Sequence, residues 1–448
     1  MKRFAIALAV MGAVLLVLTA LGLWVSPRLL NKEWLKSRVA AHFAAHIGGQ
    51  ISFERVELAF FPRLRVRVSG CRVRVPGVVR GELPEATLYP RLAPLLTGSL
   101  QPAAVHLLAP EVVLQLPESG PQAHGLQAFW PVPSAAVALP FKLTIVNGRL
   151  DLRRGGLTLL QLTDLELEMG GAPHGRRQFA LQCRSSLWQR LVAAGETAIG
   201  EEVLRGHADI TGFEPSPLFK TVAPATAARL QVAPIDLSAA FTAAAGSGLR
   251  ASLQSPRFKA SLTGPTGQAA FEGDDLGLTV ALDGTALEIG LDSLRLAAPA
   301  AILSGRLHLA RQAPRVTLAM AGRDVDATAV RQSLQDLVGD NPVVRKVLSI
   351  VRGGRLPEVH CEASGNTFRE LVGWQNFRVR AQLADGRVFV PKPGLDLSEV
   401  AGEVLISEGR LTGSGLQARL GNSVGREGAL RLGVTPAADA PFALDIQV

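Results

Sequence analysis

Asp324 and Asp326 form a D-x-D pair. On a strand, residues two apart share a face and such a pair can hold a cation. The same spacing also serves as a turn followed by a helix N-cap, here ahead of Thr328. His360, Cys361 and Glu362 are adjacent, and on a strand His360 and Glu362 would share a face, but a metal site needs a third ligand that the pattern does not supply. The eight histidines are scattered without an H-E-x-x-H motif, and no G-x-S-x-G, P-loop or Rossmann pattern stands in its required context. Gly246-Ser247-Gly248 reads as loop rather than as a phosphate cradle. Cys71, Cys183 and Cys361 are odd in number, far apart and in no CxxC pair, so they read as small buried hydrophobes and not as a disulfide or zinc framework. The sequence therefore predicts no catalytic residue, no cofactor and no metal, and a protein that is not an enzyme.

The elements that carry these residues are mostly strands. Hydrophobic residues make up 48% of the 448-residue chain and charged residues 19%, which excludes a disordered tail and calls for much buried or lipid-facing surface. The net charge is +9, with 39 arginines against 8 lysines. Such a balance suits nucleic acid or an anionic membrane surface. The arginines lie singly along strand-like segments, without a nucleic-acid-binding motif, so no nucleic-acid partner is expected.

Phe4 to Val25 is a run of 22 residues without a charge. As a helix it would span about 33 Å, enough for a hydrocarbon core. Lys2 and Arg3 precede it, which keeps the N-terminus cytoplasmic and sends the rest outward. Phe4, Leu15, Leu16, Leu18, Leu21 and Trp24 are its expected lipid contacts, and the run is longer than the apolar region of a cleaved signal peptide. Leu35, Val39, Phe43 and Ile47 then repeat every four residues on one helical face, stopped by Gly48-Gly49. That helix would lie on lipid or plug the end of the following sheet.

From Ile51 the dominant period is two. In Arg63 to Val75 the arginines 63, 65 and 67 alternate with Leu64, Val66 and Val68. Similar alternation marks Leu162–Met169, Leu276–Leu282 and Arg315–Ala321. Gly-Arg-aliphatic units recur as Asn147–Leu150, Ser304–Leu307, Gly353–Leu356, Asp385–Val388 and Glu408–Leu411. Their positive-φ residues predict two-residue hairpin turns. Helix is the minority: short turns at Leu92–Gly98 and Glu214–Pro224, and a longer pattern in Asp326–Arg352 with Val330, Leu334, Leu337 and Val338 on one face and a break at Asn341-Pro342. The expected organisation is a stub and transmembrane anchor (1–30), a helix plus first β unit (31–117), a Pro/Gly/Ala-rich loop (118–140), a repeated β region (141–325), amphipathic helices (326–352) and a C-terminal β region (353–448). The chain stops at PFALDIQV, inside a strand-like stretch, which suggests a longer natural protein or a partner over that edge.

The N-terminal stretch resembles the AsmA family, over roughly residues 1–220 and more loosely beyond. The likeness rests on order: the anchor, then LKSRVAAHFAAHIGGQISFERVELAFFPRLRVRVSGCRVRVPG, then EATLYPRLAPLLTGSLQPAAVHLLAPEVVLQL with its L-x-P-L-L-x-G turn (Leu92–Gly98), then IVNGRLDLRRGGLTLLQLTDLELEM. The resemblance implies a relation to TamB- and YhdP-type bridge-like lipid carriers. It implies an elongated, twisted antiparallel β-sheet groove, apolar inside, with a few short helices, anchored in the inner membrane by one N-terminal transmembrane helix and with its bulk in the periplasm. Its partners would be membrane lipids, phospholipid above all, and outer-membrane or periplasmic assembly proteins. About 390 residues of such a body would make roughly 30 strands at about 4.8 Å spacing. Leu64, Val66, Val68, Leu150, Leu152, Leu165 and Leu167 are the candidate groove lining. The residues alone leave open whether this apolar face is a groove or a closed core, and whether the protein carries lipid or acts as a non-enzymatic envelope assembly or scaffolding factor.

Overall fold

The computed structural model describes residues 50–96, 101–116, 141–171, 176–198, 203–217, 228–244, 248–310, 315–338, 342–390, 394–433 and 443–447, apart from positions 60, 62, 76, 78 and 372. The chain is mainly β, with a few short helices. Among the described residues no helix is long and apolar enough to cross a membrane. The anchor expected at 4–25, the helix expected at 31–47 and the loop expected at 118–140 lie outside them.

The described strands fall in two compact units. The first contains β1 (Gln50–Ser52), β2 (Arg55–Ala59), β3 (Arg65–Val75), β4 (Val79–Pro90), β5 (Pro102–Leu108), β6 (Glu111–Leu116), β7 (Lys142–Arg154), β8 (Leu157–Gly171), β9 (Arg176–Ser185) and β10 (Arg190–Ala198), with α1 (Leu92–Leu96) between β4 and β5. β1 and β2 both pair with β3. The sheet continues antiparallel through β4 to β5 and β6. It then departs from the expected all-antiparallel order, because β5 and β6 both run parallel to β7. From β7 to β10 it is antiparallel again.

The second unit contains β11 (Val203–Phe213), β12 (Leu230–Val232), β13 (Ile235–Ala244), β14 (Gly248–Thr263), β15 (Gln268–Leu282), β16 (Ala286–Ala298), β17 (Ala300–Ala310), β18 (Arg315–Asp326), β19 (Val351–Gly365), β20 (Phe377–Val390), β21 (Leu395–Ser407), β22 (Arg410–Leu420), β23 (Ser423–Gly433) and β24 (Ala443–Gln447). From β13 onward each strand pairs antiparallel with the next, with β11 beside β13 and β12 beside β14. α2 (Ala327–Val338) and α3 (Pro342–Ile350) separate β18 from β19, and α4 (Phe368–Leu371) lies between β19 and β20.

Most of the units expected to be hairpin turns are not turns. Asn147-Gly148 lies in the middle of β7, Gly353-Gly354 within β19, Asp385-Gly386 within β20 and Ser304-Gly305 within β17. Only Glu408-Gly409 makes a hairpin, between β21 and β22, with φ of 49° and 73°. The true β7–β8 turn is Gly155-Gly156, at φ 52° and 81°. For Asn147, Gly354 and Asp385 the physical reason is shared chemistry: a left-handed residue serves a type I′ turn and a mid-strand β-bulge equally well. Ser304-Gly305 is plain strand without a positive φ.

Such residues recur inside the strands. In the first unit they are Gly70 of β3, Asn147 of β7 and Asp164 of β8. Ala109 (φ 47°), with Pro110, separates β5 from β6 at the same level: the Ala109 N–H donates to the Val146 carbonyl at 2.8 Å, and the Arg149 N–H to Pro110 at 2.7 Å. In the second unit they are Gly212, Asp275, Asp324, Gly354, Asp385, Glu399, Gly415 and Glu427. The ladder register slips beside most of them, as between Ile145 and Gly148, Thr163 and Glu166, Asp274 and Gly277, and Gly413 and Leu416.

The sequence slips at the same points. In β7 the inward apolar residues are Leu143 and Ile145, then Leu150 and Leu152; in β8 they are Leu160 and Leu162, then Leu165 and Leu167. Strict alternation would turn half of each strand inside out. The bulge inserts one residue and returns both halves to one face. At one place the bulges pack backbone on backbone: a Cβ at Gly354 would lie 2.7 Å from Gly386 Cα.

We expect Asn147→Gly and Asp385→Gly to be tolerated. Asn147→Val and Asp385→Val should each lose about 1–2 kcal/mol, because a β-branched residue resists the left-handed region. Denaturant melts of the four variants check this, and equal losses in the Gly and Val variants would remove the conformational role.

Candidate apolar sheet face

Cross-strand partners share a face, so the register traces apolar rows across the first unit. One row runs Val66–Leu88–Val105–Leu143–Met169–Phe179. The next runs Val56–Val68–Ala86–Leu107–Ile145–Leu167–Leu181. Beyond the bulges, Ile51–Val73–Gly81–Val112–Leu150–Leu162 and Val75–Val79–Leu114–Leu152–Leu160 continue the same surface. The longest of these rows crosses seven strands, so its six spacings at about 4.8 Å each make about 29 Å.

The structure brings five of the seven candidate lining residues into these rows and a sixth between two of them. Val66, Val68, Leu150, Leu152 and Leu167 are row members, and Leu165 pairs with Gly148 between two rows. Leu64 stands just ahead of β3 and is half-buried. Val66 is 6% exposed and packs with Val56, Phe53, Val68 and Leu88; the other candidates are all half-buried. The sequence reading missed Leu88, Val105, Leu107 and Leu143, because β4 and β5 carry little overt Arg/Val alternation and only the register aligns them.

The second unit treats its apolar face differently. Ile350 and Val347 of α3 pack on Leu383, Val388, Val390, Val400, Leu411 and Leu416. Here Ile350, Val390, Val400 and Leu411 are each 2% exposed, and the residual cavity is about 40 Å³ and lined by apolar residues. Lys346 fixes α3 by donating to the Gly433 carbonyl at 2.7 Å, and Arg331 of α2 donates to Leu348 at 3.2 Å. Leu371 of α4 closes a smaller cluster with Leu309, Val316 and Ala363. α2 packs against β14, β15, β18 and β19. Its expected apolar face is only partly used: Val330 and Leu337 are half-buried, but Leu334 is 37% exposed.

The polar face is laced with ion pairs. Arg67–Glu85 (3.1 Å), Arg176–Glu196 (3.1 Å) and Lys142–Glu168 lie in the first unit, and Lys259–Glu272 (3.1 Å), Arg306–Glu288 (2.9 Å) and Arg380–Glu403 (2.9 Å) in the second. Exposed pairs of this kind contribute between nothing and about 1 kcal/mol each. Their main effect is to keep one face wet. Asp151 is different, because it is buried on that face, and it accepts hydrogen bonds from Gln161 (3.0 Å), Arg153 (2.9 Å) and Arg149 (3.4 Å). Burial alone pushes the Asp151 carboxyl up, but the three donors together outweigh it and hold the group below its usual range.

The residues singled out for metal chemistry have other uses. Asp326 caps α2, accepting from the N–H groups of Thr328 (2.8 Å) and Ala329 (3.2 Å). Asp324 stands inside β18 in the left-handed region, where the ladder to β19 keeps its register. His360 Nε2 lies 2.9 Å from Glu358 Oε1. Cys361 is half-buried, and burial, with the Glu362 charge beside it, pushes its thiol up. Cys71 and Cys183 are buried, Cys183 at 1% exposure, and all three cysteines are free. Gly248 is described at φ 83°, while Gly246 and Ser247 lie outside the described residues. Among the described residues no three His, Cys, Asp or Glu side chains gather around a possible metal position. Comparisons with protein-family models, with curated proteins and with solved structures find no match to this chain.

The burial contrast and Asp151 each carry an expected outcome. Ile350→Ala should cost about 2–5 kcal/mol, as in a closed core. Leu167→Ala, on a half-exposed row, should cost about 1 kcal/mol, and paired melts showing equal losses would mean that the first unit is sealed as well. Asp151→Asn should lose about 1–3 kcal/mol at pH 7. Because the folded carboxyl titrates below the unfolded value of about 3.9, its contribution is complete above that value and is lost as pH falls through the folded one. The gap to the parent protein should therefore narrow between pH 7 and pH 3; a constant gap would contradict the linkage.

Proposed function

We propose that this chain is an AsmA-like lipid-binding protein that takes up phospholipid on the apolar face of its sheet and passes it between envelope membranes in support of outer-membrane biogenesis. In this reading residues 4–25 anchor it in the inner membrane, with the N-terminus cytoplasmic and the bulk of the chain periplasmic. The sheet acts as an elongated, twisted groove. The observation that carries the proposal is the run of mostly half-buried apolar rows across the first unit, backed by a wet, ion-paired opposite face.

The magnitudes favour it. A bilayer's hydrocarbon core is about 30 Å thick, so one acyl chain occupies about half of that. A row of about 29 Å holds such a chain at full length. Each methylene moved from water onto an apolar surface gains up to about 0.8 kcal/mol. No catalytic group, cofactor or metal enters this mechanism, because lipid moves without a covalent change.

The helix-sealed cluster of the second unit supports a second reading, an envelope assembly or scaffolding factor that works through protein contacts. A rigid closed core suits such a role and offers no room for an acyl chain.

The test is native mass spectrometry of the full chain extracted from membranes. Phospholipid should copurify. Leu152→Asp with Leu167→Asp should abolish it while the β circular dichroism signal remains. A lipid-free parent protein would reject the carrier, and crosslinks to envelope proteins in its place would favour the scaffold.

A further inference from the structure

We propose that the β3–β4 end of the first unit is a headgroup site, in which Arg74 and Arg80 bind the phosphate of a lipid whose acyl chains enter the apolar rows. The inference rests on the lipid-binding reading and adds the chemistry of the ligand's polar end.

Arg74 of β3 and Arg80 of β4 are direct cross-strand partners. Like charges facing each other this way repel and destabilise the pair. Their neighbours do little to relieve it. Arg72, one step along the same face, is held by Glu54 at 3.2 Å and faces Glu82 across the ladder. Glu82 reaches Arg80 only at 4.0 Å, with both side chains more than half exposed, and itself faces Glu111 of β6. Arg74 has Gln50 of β1 on its other side and no acidic partner among the described residues. The tip of the hairpin thus carries more cationic than acidic side chains, with Glu82 its near carboxylate.

The opposite face of the same tip is apolar. Val73, Val75 and Val79 belong to two of the apolar rows, and Val75 and Val79 are partners of each other. A depression of about 750 Å³ is lined by Arg72, Arg74 and Arg80 together with Val73, Val75 and Val79, and Glu82 also lines it. Its volume falls in the range of small-molecule sites. Two guanidinium groups present forked donors that match phosphate oxygens, and an anion between them removes their repulsion. The ligand that satisfies both sides is an amphiphile with a phosphate ester head.

The experiment offers the full chain three probes at equal concentration: phosphatidylglycerol, diacylglycerol with the same acyl chains, and sn-glycerol phosphate. Binding is read by native mass spectrometry. The parent protein should prefer phosphatidylglycerol over diacylglycerol by about tenfold, the equivalent of about 1.4 kcal/mol. In Arg74→Gln with Arg80→Gln the ratio should fall toward one, and the lysine pair at these positions should keep part of it. sn-Glycerol phosphate should bind far more weakly than the lipid. An unbiased parent protein, or a ratio unchanged in the glutamine variant, overturns the headgroup site and leaves the carrier reading standing. Equal binding of sn-glycerol phosphate and phosphatidylglycerol would make this a free phosphate-ester site and overturns the proposal too. Failure of both acyl-bearing probes rejects the carrier reading and this inference with it.

Discussion

The structure depends on keeping one face of every strand apolar across a bend. A strand offers only two faces, and a slip of one residue exchanges them. Here β3, β7, β8, β11, β15 and β18 to β23 carry a left-handed residue inside the strand, whereas β4, β14, β16 and β17 do not. Asp164 in β8 and Asp275 in β15 pair it with a slip in the sequence: Leu160 and Leu162 give way to Leu165 and Leu167, and Phe271 to Leu276 and Leu278. Each defect alone would be costly. Together they cancel, and the apolar rows run on.

Much of this was legible in the sequence, and the failures have a common cause. The two-residue period from Ile51, the wet arginine face, the turn of helix at Leu92–Leu96 and the paired helices split at Asn341-Pro342 all arise from local patterning. The Gly-Arg units at Asn147, Gly354 and Asp385 misled because a bulge and a hairpin ask for the same backbone conformation. What separates them is long-range pairing. β5 and β6 run parallel along β7 before and after Asn147, so the strand continues through it to the turn at Gly155-Gly156. The parallel pairing of β7 and the rows through Leu88, Val105 and Leu143 are long-range facts, with no local signature. The D-x-D pair divided into a left-handed strand residue and a cap: Asp324 is succeeded by more strand, Asp326 by the first turn of a helix.

The two units bury their apolar faces to different depths among the described residues. In the second, α3 and α4 lie across the strands, and the aliphatic side chains beneath them reach a few per cent exposure. In the first, most row residues are half-buried, with Val56 and Val66 the deeper ones. The chemistry of the side chains is the same in both, Leu, Val and Ile. A helix is one way to close such a face; the cluster of Leu276, Leu294 and Leu296 closes with the strand side chains Phe258, Phe271, Leu278, Leu291 and Leu303.

The mid-strand left-handed residues also bear on how such a sheet tolerates changes in length. Deleting Asp164 would turn the residues on one side of it over, sending Leu160 and Leu162 into water and their polar neighbours inward, while the other half of β8 kept its place. A compensating insertion within a residue or two would restore the arrangement. Indels along these strands should thus survive in closely spaced pairs, and the genetic record of such a protein would show drifting bulge positions around constant strand lengths.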